Sequence, residues 1–243
     1  MFKSEQLRFF KEHPLIRVML ERARAEIGAL AAFAVAAVGL LIFAGIADET
    51  TEGETRVFDE TILLALRTPG NPDDPIGPAW FDLAMNDITA LGGFVVLTLL
   101  VLSVVIYLLM QGKWRNAVVV AGASVSGVFL SEGLKVGFGR PRPELVPQLA
   151  EVHSLSFPSG HAMLSAVIFL TLGALLARFH KRKRERALIM LYAVLTTMMV
   201  GASRVYLGVH WPTDVLAGWA LGAAWAALWW LAAWRFLRDK QET

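Results

Sequence analysis

Three uncharged runs constrain this chain more than any other feature: Gly28–Ala47, Thr89–Met110 and Val215–Trp234, of 20, 22 and 20 residues. A helix rises about 1.5 Å per residue, so about 20 apolar residues cross the hydrocarbon core of a bilayer. Asn116–Ser131, Ala162–Ala177 and Ala187–Ser203, of 16, 16 and 17 residues, reach that length once polar residues at their ends are included. Taken singly, each of the shorter runs also suits a buried core helix; alternating with three full-length runs, they predict six spans. Composition agrees, with 56% hydrophobic and 18% charged residues, whereas soluble domains carry about a quarter charged. An ordinary water-soluble enzyme is excluded. The absence of cysteine removes disulfides, thiolate metal sites and cysteine nucleophiles.

Six spans place both termini on one side, together with residues 111–115 and 178–186. That side carries 17 of the 23 Lys and Arg, so the positive-inside rule makes it cytoplasmic. The remaining charge, 23 basic against 21 acidic residues overall, is too balanced to call for nucleic acid, and no nucleic-acid partner is expected. The apolar run after the basic start is longer than the ~7–15 residues of a signal-peptide core, so it reads as a retained span. Residues 1–27 form a basic cytoplasmic segment, either an orienting tail or an interfacial helix; residues 28–243 form the six-span domain. Within it, 48–88 holds ten acidic residues and the helix-incompatible stretch Thr68-Pro69-Gly70-Asn71-Pro72. It is an outer loop carrying short surface helices. The expected fold class is therefore all-α, a six-transmembrane-helix bundle with a short helical and loop segment on its outer surface.

Four of the six outer basic residues, Lys135, Arg140, Arg142 and Arg204, stand at or beyond span ends, where an unpaired charge is costly without a role. An anion is expected there. They lie in the stretches 135–143 and 203–214, and between these falls Phe157-Pro158-Ser159-Gly160-His161. At that helix start Ser159 can cap, the Gly160 amide and its neighbours face outward with the positive end of the helix dipole, and His161 offers a donor beside a bound anion. His210 and Asp214, four apart, let a carboxylate fix the imidazole tautomer and free the other nitrogen as nucleophile or base. Arg204 can present a planar fork to phosphate oxygens. Pro141 and Pro143 brace Arg142, while Arg140 reads as a less constrained headgroup contact. Glu132, one turn before Lys135, can pair with it. Each feature alone also has a structural reading, as helix cap, interfacial His–Asp pair or headgroup anchor. Together they suit in-line attack on a phosphoryl group, with cations in place of a metal. No cofactor and no metal are expected, and activity should survive chelators.

The pattern Lys-x6-Arg-Pro, Pro-Ser-Gly-His, Ser-Arg-x5-His-x3-Asp resembles the type 2 phosphatidic acid phosphatase superfamily of integral-membrane lipid phosphatases. It matches at Lys135, Arg142, Pro143, Pro158, Ser159, Gly160, His161, Ser203, Arg204, His210 and Asp214. The resemblance implies a metal-independent double displacement in which His210 attacks phosphorus, Asp214 orients it and His161 protonates the leaving group. Lys135, Arg142, Arg204, Ser159 and Gly160 would hold the phosphoryl oxygens. The expected partners are a lipid phosphate or diphosphate substrate and membrane lipids, and the expected place is a bacterial inner membrane with the site on the outer side. A lipid phosphotransferase would use the same intermediate; a channel or transporter binding an anion at its mouth is the non-enzymatic alternative.

Overall fold

The computed structural model describes residues 14–152 and 154–238. Of the basic amino-terminal segment, residues 1–13 lie outside the described residues; from Pro14 the chain is one helix, α1 (Pro14–Glu52). Pro14 suits a first helical position, where its missing N–H would have had no partner. Then come α2 (Arg56–Ala65), the short strands β1 (Arg67–Thr68) and β2 (Asn71–Pro75), α3 (Ala79–Ala90) and α4 (Phe94–Met110). The chain continues through α5 (Trp114–Phe138), α6 (Gly160–Arg178), α7 (Lys183–Tyr206) and α8 (Pro212–Arg238).

Glu26–Glu52 of α1, together with α5, α6, α7 and most of α8, are long and apolar enough to cross a membrane. The sixth span is a broken one, α3 and α4, bent by 44°. The protein is thus an all-α integral membrane bundle. Large apolar side chains face outward along the spans, among them Leu41, Val95, Phe129 and Val136, each more than two-thirds exposed. In water such a surface would be unstable; in lipid it is the required one.

The second span departs from the sequence expectation of one run over Thr89–Met110. Thr89 belongs to α3, the chain turns at Leu91–Gly93, and α4 starts at Phe94 with Gly93 extended at its cap. Packing forces the break. A Cβ on Gly92 would lie 2.3 Å from Val200 Cγ1 and 3.4 Å from His161 Cδ2, so only a glycine lets the turn pass between α6 and α7. Since the 17 residues of α4 span only about 25 Å, α3 supplies the missing depth.

Helix α8 is central, packing extensively on α1 and α6 and also on α5 and α7. Small residues at the α6–α8 contact, Ala162, Ala166, Gly218 and Gly222, bring the two axes close, the usual means of helix association in lipid. At one end of the bundle the 48–88 connection folds over the ends of α7 and α8. Its hairpin pairs Arg67 with Pro75 and Thr68 with Asn71. Phe81 of α3 meets the Tyr206 ring edge-on at 5.1 Å, and the Tyr206 hydroxyl bonds both Ile76 O and the Asp82 carboxylate. Leu63 of α2 is fully buried against Val146, Ala162, Val205 and Val215. The connection is therefore a packed lid on that end of the bundle.

Candidate active site

Every chemistry-bearing stretch reaches this same end. Helix α5 brings Lys135 in its last turn and stops at Gly139 in the left-handed region. The chain then runs through Pro141, Arg142 and Pro143. Ser156 ties this run to the segment before α6, its N–H and Oγ bonding Arg140 O and its Oγ also bonding Pro141 O. Phe157, fully buried, sits 5.9 Å from Phe43 of α1 and 4.8 Å from Phe138 of α5. That anchor sets where α6 begins. Between α7 and α8, Gly208 turns the chain at φ +71, where a Cβ would meet Pro147 O at 2.6 Å. The turn delivers His210 just ahead of α8.

Lys135, Arg142, Gly160, His161, Arg204 and His210 line one cavity of about 370 Å³. Its remaining wall includes Glu132, Glu151 and Ser154 beside the apolar Phe94, Val128 and Leu164. Three helices and two loops thus converge three cations, two histidines and a helix amino terminus on one space. The partial positive charge of the α6 terminus adds to the cations.

His210 is 2% exposed, and its Nδ1 lies 3.3 Å from Asp214 Oδ2. The fully buried Asp214 also accepts the Trp211 N–H at 2.9 Å through the same oxygen, as an acidic residue in the first turn of α8 should. On the other side of the ring, Nε2 lies 3.2 Å from Arg142 Nη1. A guanidinium only donates, so Nε2 must accept and the ring proton must sit on Nδ1, facing the carboxylate. Both contacts thus select the same neutral tautomer, with its lone pair turned into the cavity. Burial pushes the His210 pKa well below 6.5, and the positive charges of Arg142, Arg204 and Lys135 push it the same way.

The cations are held but incompletely used. Lys135 Nζ donates to Glu132 Oε1 at 2.9 Å and to Ser154 Oγ at 3.3 Å. Arg142 donates to Ser154 O at 2.7 Å, to Ser154 Oγ at 3.2 Å and to Val209 O. Burial lowers the Arg142 pKa and the Asp214 charge opposes it. Arg204, 3% exposed, gives one nitrogen to Thr89 Oγ1 at 3.0 Å while its Nε, buried, has no partner. Ser131 Oγ, also buried and unpartnered, lies 3.4 Å from where a Gly160 Cβ would stand. Orphaned donors are costly when buried. Among the described residues no group of three or more His, Asp or Glu is placed to hold a metal ion.

Two sequence expectations take a different form here. Ser159 is fully buried and its Oγ accepts the Ala162 N–H at 3.5 Å; it caps α6 and does not line the cavity, whereas Gly160 and His161 do. Arg140 bridges two buried carboxylates instead of being a loose headgroup contact. It donates to Asp214 Oδ1 at 2.6 Å, Asp59 Oδ2 at 2.7 Å, Thr213 Oγ1 at 2.9 Å and Thr55 Oγ1 at 3.3 Å. The correction comes from partners 73 to 85 residues away, beyond the reach of local spacing. Thr89 and Ser154 escaped the sequence reading for the same reason. Asp59 left a trace, since it shares a helix face with Ile62 and Leu63, an acid on an apolar stripe.

The sequence profile of the PAP2 superfamily matches residues 116–238. Phosphatidylglycerophosphatase B from Bacillus subtilis is 31% identical over 144 residues, which is 59% of this chain and 70% of that protein. An undecaprenyl-diphosphatase from Sulfolobus acidocaldarius is 37% identical over 68 residues, 28% of this chain and 29% of that one. Among solved structures, a transmembrane PAP2 type phosphatidylglycerolphosphate phosphatase from Bacillus subtilis superposes with a TM-score of 0.74 at 26% identity, covering 84% of this chain and 98% of that chain.

Proposed function

The chain belongs to the PAP2 superfamily, and from that premise we propose that it is a metal-independent phosphatase of a membrane lipid phosphate or diphosphate, with His210 as its nucleophile. The observation that carries this reading is the His210 ring. Its Nδ1 faces Asp214 at 3.3 Å, and its Nε2 opens on a cavity lined by Lys135, Arg142 and Arg204.

In the first step the Nε2 lone pair forms a bond to phosphorus as the bond from phosphorus to the leaving oxygen breaks. His161 gives that oxygen a proton, and Asp214 balances the charge that develops on the His210 ring. Arg142, Arg204, Lys135 and the Gly160 amide hold the three equatorial oxygens, where charge accumulates in the transition state. Arg142 Nη1 must leave Nε2 to do so. Water then attacks the phosphohistidine, loses its proton to His161, and returns His210 to its neutral form as inorganic phosphate departs. Ser159 acts behind this set, fixing the α6 terminus. Phe94, Val128 and Leu164 suit the first carbons of an acyl or prenyl chain. With the basic termini cytoplasmic, the cavity opens toward the outer leaflet of a bacterial inner membrane.

The test is phosphate release by purified protein in detergent with excess chelator. Phosphatidylglycerophosphate, undecaprenyl diphosphate, phosphatidic acid and a lipid A phosphate are compared with a water-soluble phosphate ester, and His210→Ala is the control. Release from a lipid, lost in the variant, is expected; equal release by His210→Ala would overturn the mechanism.

A further inference from the structure

Arg140 stands between two carboxylates that have no exposure at all, Asp59 on α2 and Asp214 on α8. Its two terminal nitrogens are divided between them, Nη1 to Asp214 Oδ1 at 2.6 Å and Nη2 to Asp59 Oδ2 at 2.7 Å. Asp59 in turn holds the start of α8 directly. Its Oδ1 accepts the Thr213 N–H at 2.9 Å and its Oδ2 the Thr213 hydroxyl at 2.7 Å. The Asp214 carboxylate thereby has each oxygen committed, Oδ1 to Arg140 and Oδ2 to Trp211 N–H and the His210 ring.

We infer that Asp59, acting through Arg140, is a positioning residue for the Asp214–His210 pair, and that the connection carrying α2 is part of the catalytic apparatus. The inference rests on the reading of His210 as nucleophile. Its physical basis is the fork itself. A carboxylate held at one oxygen can still rotate about its Cβ–Cγ bond; one held at both cannot, so Oδ2 stays aimed at Nδ1. Asp59 takes the second nitrogen of Arg140 at 2.7 Å, and Asp59 is itself held by Thr213. The ring closes on itself, from α2 to the 140 loop to the first turn of α8. The ring turns positive on attacking phosphorus, so a carboxylate kept aimed at Nδ1 stabilises the transition state more than the resting site.

The experiment uses the full-length protein in detergent, with Asp59→Asn and Arg140→Lys compared against wild type. The lysine keeps the charge but lacks the planar fork whose two nitrogens are divided between the carboxylates. Four quantities are read: kcat and KM on a lipid phosphate the wild type turns over, unfolding temperature, and the downfield Nδ1 proton of His210 in protein carrying 15N-histidine. That proton is assigned by its absence from His210→Gln. Both variants are expected to lose kcat by about 10- to 100-fold with KM nearly unchanged, the size of loss typical when an orienting partner is removed. The His210 proton should shift or vanish. Glu60→Gln, on the same helix and paired with exposed Arg56, should change nothing. Wild-type kcat in either folded variant would overturn the inference. So would a fall in kcat accompanied by a lower unfolding temperature and an unaltered His210 proton, which would mark a purely structural pair. Should Asp59→Asn fail to fold, Arg140→Lys alone decides. Should the wild type release phosphate from no lipid while the His210 proton still depends on Asp59, the phosphatase reading fails and the positioning role stands.

Discussion

Arg142 Nη1 lies 3.2 Å from His210 Nε2, in the position that an incoming phosphoryl group has to take. On the proposed mechanism the same side chain holds the His210 ring in its reactive tautomer before substrate arrives and binds a phosphoryl oxygen afterwards. Replacing it by Gln removes both actions. A fall in kcat/KM of about 100- to 1,000-fold is expected, the usual cost of one donor to transition-state charge, measured by steady-state phosphate release.

The pH dependence follows from the same pair. Burial first, then the charges of Arg142, Arg204 and Lys135, hold the His210 pKa well below 6.5, so the His210 ring of the free protein stays neutral as pH falls through 6.5. The acid limb of kcat/KM that belongs to His210 then lies below that pH. Arg142→Gln removes one lowering charge, which raises the His210 pKa and moves the limb upward. The variant should lose proportionally more activity than wild type as pH is lowered below 6.5. The ionisation of the substrate is common to both proteins and cancels in the comparison. Stability follows the same sign. The contribution of this histidine is complete above 6.5 and declines as pH drops, because the unfolded ring takes a proton that the folded one refuses.

Asp214→Asn should leave the backbone in place while reversing what the ring proton faces. An amide nitrogen turned toward Nδ1 favours the wrong tautomer, and a loss of about 10⁴-fold in kcat is expected. Rapid quench with a 32P-labelled lipid should show the labelled protein intermediate in wild type and little in the variant.

On the proposed mechanism Lys135, Arg142 and Arg204 together carry the charge that a metal would otherwise supply. Phosphate release should therefore be unchanged after prolonged treatment with excess EDTA and after readdition of Mg²⁺. A strict requirement for the added metal would contradict the assignment of these cations.

Gly92 places the bend of the broken span against His161 and Val200. Gly92→Ala puts a methyl 2.3 Å from Val200 Cγ1, an overpacking worth about 1–3 kcal/mol. The unfolding temperature in detergent should fall, and Val200→Ala introduced alongside should recover part of the loss, since the clash is then relieved.

The amino-acid sequence by itself determined the membrane class and marked His161, His210, Lys135, Arg142 and Arg204 as candidates, residues that the fold brings to one cavity. The reason is that these properties are one-dimensional. A bilayer rejects charge over about 20 consecutive residues, which makes the uncharged runs readable without any knowledge of packing. A four-residue spacing across a helix start puts His210 and Asp214 together whatever surrounds them. Only the tertiary structure decided what each group is bonded to. Ser159 turns inward as a cap because α8 packs over it, its N–H bonding Asp214 O at 2.9 Å. The run beginning at Thr89 breaks because Val200 and His161 leave no room for a side chain at residue 92. Arg140 becomes a bridge because α2, more than 80 residues earlier in the chain, folds back to set Asp59 against it. Burial settles these roles, since a charge removed from water must find its partner wherever the fold has put one, and no local spacing records where that is.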